Sequence, residues 1–556
     1  MKVQRRFVVS IVAVLSLAAG TAGATTLQGD VQANRPQVAG IASSDTTAVF
    51  PTNKQNETTI AVNPTNVRRL IAGANDEQRQ PPCGPGPVRG TTLASDCSFF
   101  PGVGTSGVYT SRDGGTTWQN RGLLDDQASW AGLNVVSDGD PVVAYGPKPD
   151  GHGGFSYANG ARAYYASLAS TAALKGFEQI IVSYSDDDGA TWSAPAIGTV
   201  KSSSVDFNDK NWIGVDDSPT SPFFGRVYLS WTEFRSATAT GNGSEPVMVA
   251  VSRDGGRTFG SPNQLSPAGN NGTGNGRQGS AVTTGPDGTA YVAFEQASSQ
   301  VIVVSRDGGQ KWTRPAAIGP VTDISDPIPG ANFRTSSFPT IAADPRTGST
   351  TLYAAWATRT AAGGRIVVST SADRGVHWSA LQQLSGSEGY AFFPGIDVAP
   401  DGRVDLAYQA LTAINPATFG TGNAAIDAWA MTKPAAGAWS APTKISTASS
   451  DPAASAQNNL QLQFWGDYAS VASGPTGAWY TFTDSRTGAG CPAVDAYQHY
   501  LRDNGLVLRE DGQDQLSQRT TGINPALSDP SVKPAPAFVC PAQFGNTDAR
   551  VARFTP

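Results

Sequence analysis

The chain has 556 residues, of which 15% are charged, and a formal net charge of −6, so no basic stripe favours nucleic-acid binding. Beyond the N-terminal segment no apolar run approaches the ~20 residues of a membrane span. The 62 glycines and 38 prolines, set against three methionines, suit a chain of many strands and tight turns.

Residues 1–24 read as a secretory signal peptide. Lys2, Arg5 and Arg6 precede an apolar run from Phe7, and Ala22-Gly23-Ala24 offers a small-residue cleavage site. The expected destination is extracellular or periplasmic, and the mature chain is expected to be a monomer. In an oxidising compartment the four cysteines imply a disulfide framework. We expect Cys83–Cys97 to close a short Pro/Gly loop and Cys491–Cys540 to tie down the tail. The three histidines, His152, His377 and His499, lie far apart and offer little to a metal site or a Ser-His-Asp triad.

An extended N-terminal segment, 25–54, leads into a region from 55 to 502 that repeats. The stretch SRDGGTTW (111–118) returns as SDDDGATW (185–192), SRDGGRTF (252–259), SRDGGQKW (305–312) and SADRGVHW (371–378), with a worn copy in GAWSAP (437–442). An alternating apolar strand precedes each copy and a short extended piece follows it. Upstream lie paired strands, seven hairpins in all: ETTIAVNPTNVRRLIAGA, LNVVSDGDPVVAYG, WIGVDDSPTSPFFGRVYLSW, SAVTTGPDGTAYVAF, PTIAADPRTGSTTLYAAW, PGIDVAPDGRVDLAYQA and YASVASGPTGAWYTFTDSR. Four-stranded antiparallel units in radial repetition predict an all-β propeller of seven blades, with six as the alternative count. Within the repeated turn, Asp can accept bonds from the turn's own N–H groups, Gly supplies a positive φ, and the closing aromatic buries a large surface. Its role is therefore structural rather than catalytic. The tail, 503–556, is polar and Pro-rich until TDARVARF (547–554), expected to pair back at the ring seam.

The S-x-D-x-G-x-x-W turns between third and fourth strands resemble the Asp boxes, or BNR repeats, of the sialidase superfamily. The resemblance covers about 55–502. It implies a propeller whose functional loops lie at the axial mouth, opposite the repeated turns, and an exported sialidase-like glycoside hydrolase acting on a glycan. Sialidases of this kind clamp the substrate carboxylate with three arginines, use a Glu-activated Tyr as nucleophile and an Asp as acid/base. Their first arginine lies in a Phe/Tyr-Arg-Ile-Pro motif that this sequence lacks; Phe333-Arg334 continues Thr-Ser.

Residues flanking the strands at the mouth include Glu57, Asp209, Lys210, Asp467 and the following candidates. Arg235, Arg334, Arg359 and Arg486 are candidates to bind a carboxylate bidentately. Asp76, Glu233 and Asp484 are candidate acid/base groups, and Tyr468 a candidate nucleophile. Trp212 and Trp465, with Tyr468, offer faces for sugar stacking. Asp209 with Asp216-Asp217 is a candidate Ca²⁺ set, and no other cofactor is expected. The insertion 80–102 would overhang the mouth. A non-catalytic glycan- or protein-binding propeller is the main alternative, and a polysaccharide lyase using Lys148 or Lys210 a lesser one. Peptide mapping without reduction should join Cys83 to Cys97 and Cys491 to Cys540; a peptide joining Cys83 to either distal cysteine would overturn the pairing.

Overall fold

The computed structural model describes residues 25–36, 54–79, 103–170, 179–199, 207–235, 244–267, 277–457, 460–505, 540–541 and 543–556. The leader 1–24, the insertion 80–102 and the Cys83–Cys97 pairing lie outside them. No helix among the described residues is long and apolar enough to cross a membrane.

Seven antiparallel sheets form a seven-bladed β-propeller. The innermost strands are Gln55–Val62, Val142–Pro149, Phe207–Val215, Arg277–Thr284, Thr340–Ala343, Tyr390–Val398 and Ser470–Gly474. Each touches the next, and the last touches the first, so the ring is closed. Both ends of the chain complete the seventh blade. Gly477–Asp484 pairs with the C-terminal strand Asp548–Thr555, which pairs in turn with Thr26–Gln32 as the outer edge. Asp30 anchors that edge: Arg550 Nε donates to it at 2.7 Å and Arg486 Nη1 at 3.1 Å.

The second blade departs from its sequence reading. Its innermost strand is Val142–Pro149, and its second strand is the 16-residue run Phe155–Ser170. Val136–Ser137 only bridges the end of that run. The expected hairpin at 133–146 fails because Leu133, Asn134 and neighbouring residues are too exposed to form an axial strand. Lys148 consequently leaves the mouth: its Nζ donates to the Asp186 carbonyl at 2.6 Å, inside a repeated turn on the opposite face.

The repeated turns share one hydrogen-bond pattern. In the second blade Ser185 Oγ donates to Asp187 Oδ1 (2.8 Å) and accepts from Gly189 N (2.8 Å). Asp187 also accepts from Thr191 N (2.8 Å) and Thr191 Oγ1 (2.7 Å). The Ser–Asp and Ser–Gly bonds recur at Ser111, Ser252, Ser305 and Ser371. His377 takes the threonine's place in the fifth copy, with Nδ1 2.6 Å from Asp373 Oδ2. The turn reaches outward to the preceding blade. Trp192 packs edge-on against Tyr165 beside Ile71 and Val108 of blade one, and Trp312 packs against Tyr228 of blade three. Glycine is required twice over at its fifth position. Gly309 has φ +84°, and a Cβ there would lie 2.6 Å from Val251 of the preceding blade. The core is thus a set of inter-blade interfaces, each partly sealed by a turn.

Asp187→Ala leaves the Thr191 N–H without its acceptor. Because Thr191 is exposed and water can replace the acceptor, the substitution should lower stability by about 0.5–1.5 kcal/mol, the net contribution of a hydrogen bond. Urea unfolding should show a lower midpoint at unchanged slope.

Candidate functional site: the axial carboxyl cluster

The innermost strands do not enter the ring straight. Register shifts fall between Asn56 and Thr59, Asp209 and Trp212, Gln278 and Ala281, and Phe392 and Gly395. At the bulges Glu57, Lys210, Gly279 and Phe393 adopt φ of +53°, +54°, +66° and +47°. Asp140, just ahead of the second blade's inner strand, has φ +48°. Left-handed backbone at bulky residues is strained, of order 1–3 kcal/mol each. A bulge re-aims the side chain at that point. Here three of the re-aimed side chains, Glu57, Asp140 and Lys210, meet.

Lys210 is their centre. Its ammonium is ion-paired to Asp467 and lies 3.9 Å from both Glu57 Oε1 and Asp140 Oδ2. Arg334 reaches in from the fifth blade's approach, with Nε and Nη2 donating to the two Asp467 oxygens at 2.9 and 2.8 Å. The same Nη2 is 3.8 Å from Glu57. Asp140 shares hydrogen bonds with the Glu57 and Asp209 carboxyls. Asn75 donates to Glu57 Oε2 at 3.0 Å and accepts from Asp140 N at 2.8 Å.

The environments push these carboxyls apart. Burial raises Asp140 to about 7, aided by the charge of Glu57, and burial likewise raises Asp209 to about 7 against the pull of Lys210. Burial also raises Glu57. Burial would raise Asp467 too, but Arg334 and Lys210 outweigh it and hold that carboxyl well below the usual range. Lys210 is buried, yet the surrounding carboxylates keep its ammonium charged.

Beside the cluster a cavity opens at the axis, lined by residues of the third to seventh blades. Lys210 and Asp467 line its polar side with Asn211, and Trp212, Phe338, Phe393 and Tyr468 its apolar side. Trp212 and Tyr468 meet edge-to-face at 5.9 Å.

Of the residues expected at the mouth, Arg334, Tyr468 and Trp212 come together here. Tyr468 contributes its ring; its hydroxyl donates to the Pro141 carbonyl at 3.3 Å, and burial lifts its pKa well above the ordinary value, the opposite of an activated nucleophile. The others are placed elsewhere. Asp76 is buried, accepting from Tyr109 Oη (2.7 Å) and Gln55 Nε2 (2.9 Å). Glu233 pairs with Arg235 at 3.2 Å, and Arg235 also donates to Gln264. Asp484 holds Arg486, which spans to Asp30 at the seam. Arg359 is exposed near the end of its strand, Leu352–Thr360. Trp465 is 0% exposed, with Nε1 donating to Gln409 at 3.1 Å, so it has no face for a sugar. The four arginines therefore form no common clamp. The candidate Ca²⁺ set is split as well. Asp209 is near one end of its strand and Asp216 follows the other, roughly 20 Å away at ~3.3 Å per residue. Asp216 accepts instead from Ser221 Oγ at 2.6 Å. Among the described residues no cluster of three or more His, Cys, Asp or Glu is arranged to hold a metal.

Asp140 falls in the turn of the expected hairpin LNVVSDGDPVVAYG and so is not among the expected site residues. The signal for it is the Gly139-Asp140 pair just ahead of PVVAYG, once that run is taken as the axial strand. The Cys491–Cys540 disulfide is present and pins the start of a helix, Pro492–Asp503. From this helix Gln498 accepts from Asn332 Nδ2 at 3.0 Å, two residues before Arg334.

No protein-family model and no curated protein matches the chain. Among solved structures it is similar to the GH93 α-L-arabinofuranosidase of Fusarium graminearum bound to arabinobiose. The two are 13% identical over 69% of this chain and 93% of that one, with a TM-score of 0.40. It is also similar to the intramolecular trans-sialidase of Ruminococcus gnavus, 13% identical over 65% of this chain and 91% of that one, with a TM-score of 0.36. A sialidase of Streptococcus pneumoniae is 11% identical over 77% of this chain and 81% of that one, at 0.38. Likenesses of this degree carry no substrate across.

The Asp140 carboxyl keeps its proton to about pH 7 when folded and loses it near 3.8 when unfolded. Its contribution to stability is complete at acid pH and is lost as pH rises through 7. Asp140→Asn should therefore flatten the fall in stability between pH 5 and pH 8, read from urea midpoints; an unchanged slope would contradict the assignment.

Proposed function

We propose that the chain is an exported, sialidase-like glycoside hydrolase of the Asp-box propeller class, acting as a monomer on a glycan with the axial cavity as its active site. One observation carries this reading. Asp467 lines the cavity, held as an anion by Arg334 and Lys210, while burial raises Asp140 and Asp209, which neighbour Lys210, to about 7. Paired carboxyls whose environments drive their pKa values apart are the acid and the base or nucleophile of glycoside chemistry. As an anion at the cavity wall, Asp467 would stabilise the positive charge that develops on a sugar ring in an oxocarbenium-like transition state. The aromatic wall of Trp212 and Tyr468 supplies the surface against which apolar faces of a pyranose or furanose rest.

The five repeated turns, with their shared Ser–Asp–Gly bonding, support the Asp-box assignment. The basic, apolar and small-residue regions of 1–24 and the Cys491–Cys540 disulfide support export. One feature favours the binding-propeller reading instead: Lys210 and Arg334 both neutralise Asp467 internally.

A panel of chromogenic pentosides, hexosides and sialosides separates the two readings. A hydrolase releases chromophore from at least one, and Asp467→Asn should lower that turnover by about 10²-fold or more. If the folded wild-type chain releases nothing yet is retained on a glycan array, the binding propeller is the correct reading.

A further inference from the structure

Lys210 and Asp467 are the charged residues that line the axial cavity. The ammonium is paired to Asp467, but further carboxyls stand within its swing: Glu57 Oε1 and Asp140 Oδ2 are each 3.9 Å away. Asp209 precedes Lys210 on the same strand, Phe207–Val215. Its Oδ1 accepts from the Lys210 backbone N–H at 2.8 Å, and Asp140 Oδ2 lies 3.4 Å from that same nitrogen. Two carboxyl oxygens crowded on one N–H repel each other when both carboxyls are ionised. Lys210 and all four carboxyls are buried.

Asp467 does not depend on Lys210 for a counter-charge. Arg334 grips both of its oxygens, with Nε at 2.9 Å and Nη2 at 2.8 Å. Lys210 instead makes a single-point contact from the end of a flexible four-carbon stem. Of the two cations it is the one able to change partner, by closing a gap of 3.9 Å to the ~2.8 Å of a charge-assisted hydrogen bond. Charge decides which partner it takes. With protons on Glu57, Asp140 and Asp209, Asp467 is the anion of the cluster, and both cations converge on it, as they do in this structure. With those carboxyls ionised, two cations face four anions, and keeping both on Asp467 leaves the other side of a buried cluster uncompensated. The Tyr468 phenol also faces the cluster and is held neutral by burial. Asn75 ties Glu57 Oε2 and the Asp140 N–H to the first blade, so the carboxyls stay in place while the ammonium moves. Burial raises Asp140 and Asp209 to about 7, which puts the exchange near neutral pH.

We propose that Lys210 is a proton-controlled switch of the axial site: its ammonium stays on Asp467 while Asp140 and Asp209 carry protons, and moves to them when they ionise, leaving Asp467 at the cavity wall held by Arg334 alone. This rests on the axial cavity being the functional site and deepens the reading above by naming its regulation. The acid form presents the cavity with a carboxylate neutralised twice over; the alkaline form presents one that is more basic.

The test is a pair of crystal structures of the full chain at about pH 5.5 and about pH 8.5, on either side of the ionisations near 7. At the lower pH Lys210 Nζ should sit on Asp467. At the higher pH it should lie ~2.8 Å from an oxygen of Asp140 or Asp209, its distance to Asp467 longer by about 1 Å, with Arg334 still on both Asp467 oxygens. In the double variant Asp140→Asn, Asp209→Asn the ammonium should remain on Asp467 at both pH values. The wild-type pair decides the matter alone if the variant misfolds. Lys210 on Asp467 in both wild-type structures, or a pH-driven departure from Asp467 in the folded double variant, would overturn the switch. Movement of Lys210 in a chain that releases no chromogenic glycoside would sink the hydrolase reading and leave the switch standing. Release from a glycoside with Lys210 fixed on Asp467 at both pH values would do the reverse.

Discussion

The Lys210 ammonium is the contact on which the centre of this molecule depends. It binds Asp467 from the seventh blade and faces Glu57 from the first and Asp140 from the second, while Lys210 itself belongs to the third. Arg334, from the approach to the fifth, locks the same Asp467 from the other side. Blades far apart in sequence are therefore cross-linked through one buried charge cluster. Lys210, Arg334 and Asp467 cannot be exchanged singly for neutral groups without leaving an uncompensated charge in the interior. The cluster also explains why carboxyls so close together differ in protonation. The two cations converge on Asp467, and the groups behind it hold protons to limit mutual repulsion.

Two opposite ends of the blades have separate tasks. At one end the Ser–Asp–Gly turns satisfy their own backbone and drive an aromatic side chain against the preceding blade, so they are spent on ring assembly. At the other end the inner strands bulge, and left-handed residues turn functional groups toward the axis. Strain collected there is held by a rigid ring whose stability comes from the interfaces. This is the arrangement expected where a site is built at the expense of local backbone comfort.

Closure and the site are coupled through the seventh blade. The blade is assembled from three stretches of chain, and the Asp30–Arg486–Arg550 contacts hold the outer strand to it. Between its second and third strands the chain makes the helix Pro492–Asp503, pinned by the disulfide, and Gln498 on that helix supports the loop that delivers Arg334. The same blade's approach supplies Asp467 and Tyr468.

The propeller, with seven blades favoured over six, and the structural role of the repeated turns are legible in the sequence. Those features rest on local chemistry: alternation along strands, positive φ at Gly, and Asp capping of its own turn. The sequence also marked the strand starts carrying Glu57, Lys210, Arg334 and Asp467 as the face to search, since strand order fixes which loops share an end. The second blade was shifted because LNVVSD alternates as convincingly as the true axial strand while being too exposed to serve as one. That shift hid Asp140 and misplaced Lys148. Which charged residues meet is set by the folded ring. Arg486, Arg235 and Arg334 all follow or precede strands at the same end, yet the first is held at the seam by Asp30, the second by Glu233 two residues away, and the third by Asp467, 133 positions along. Pairings of that kind depend on bulge geometry and on which blades adjoin around a closed ring, and a linear pattern records neither.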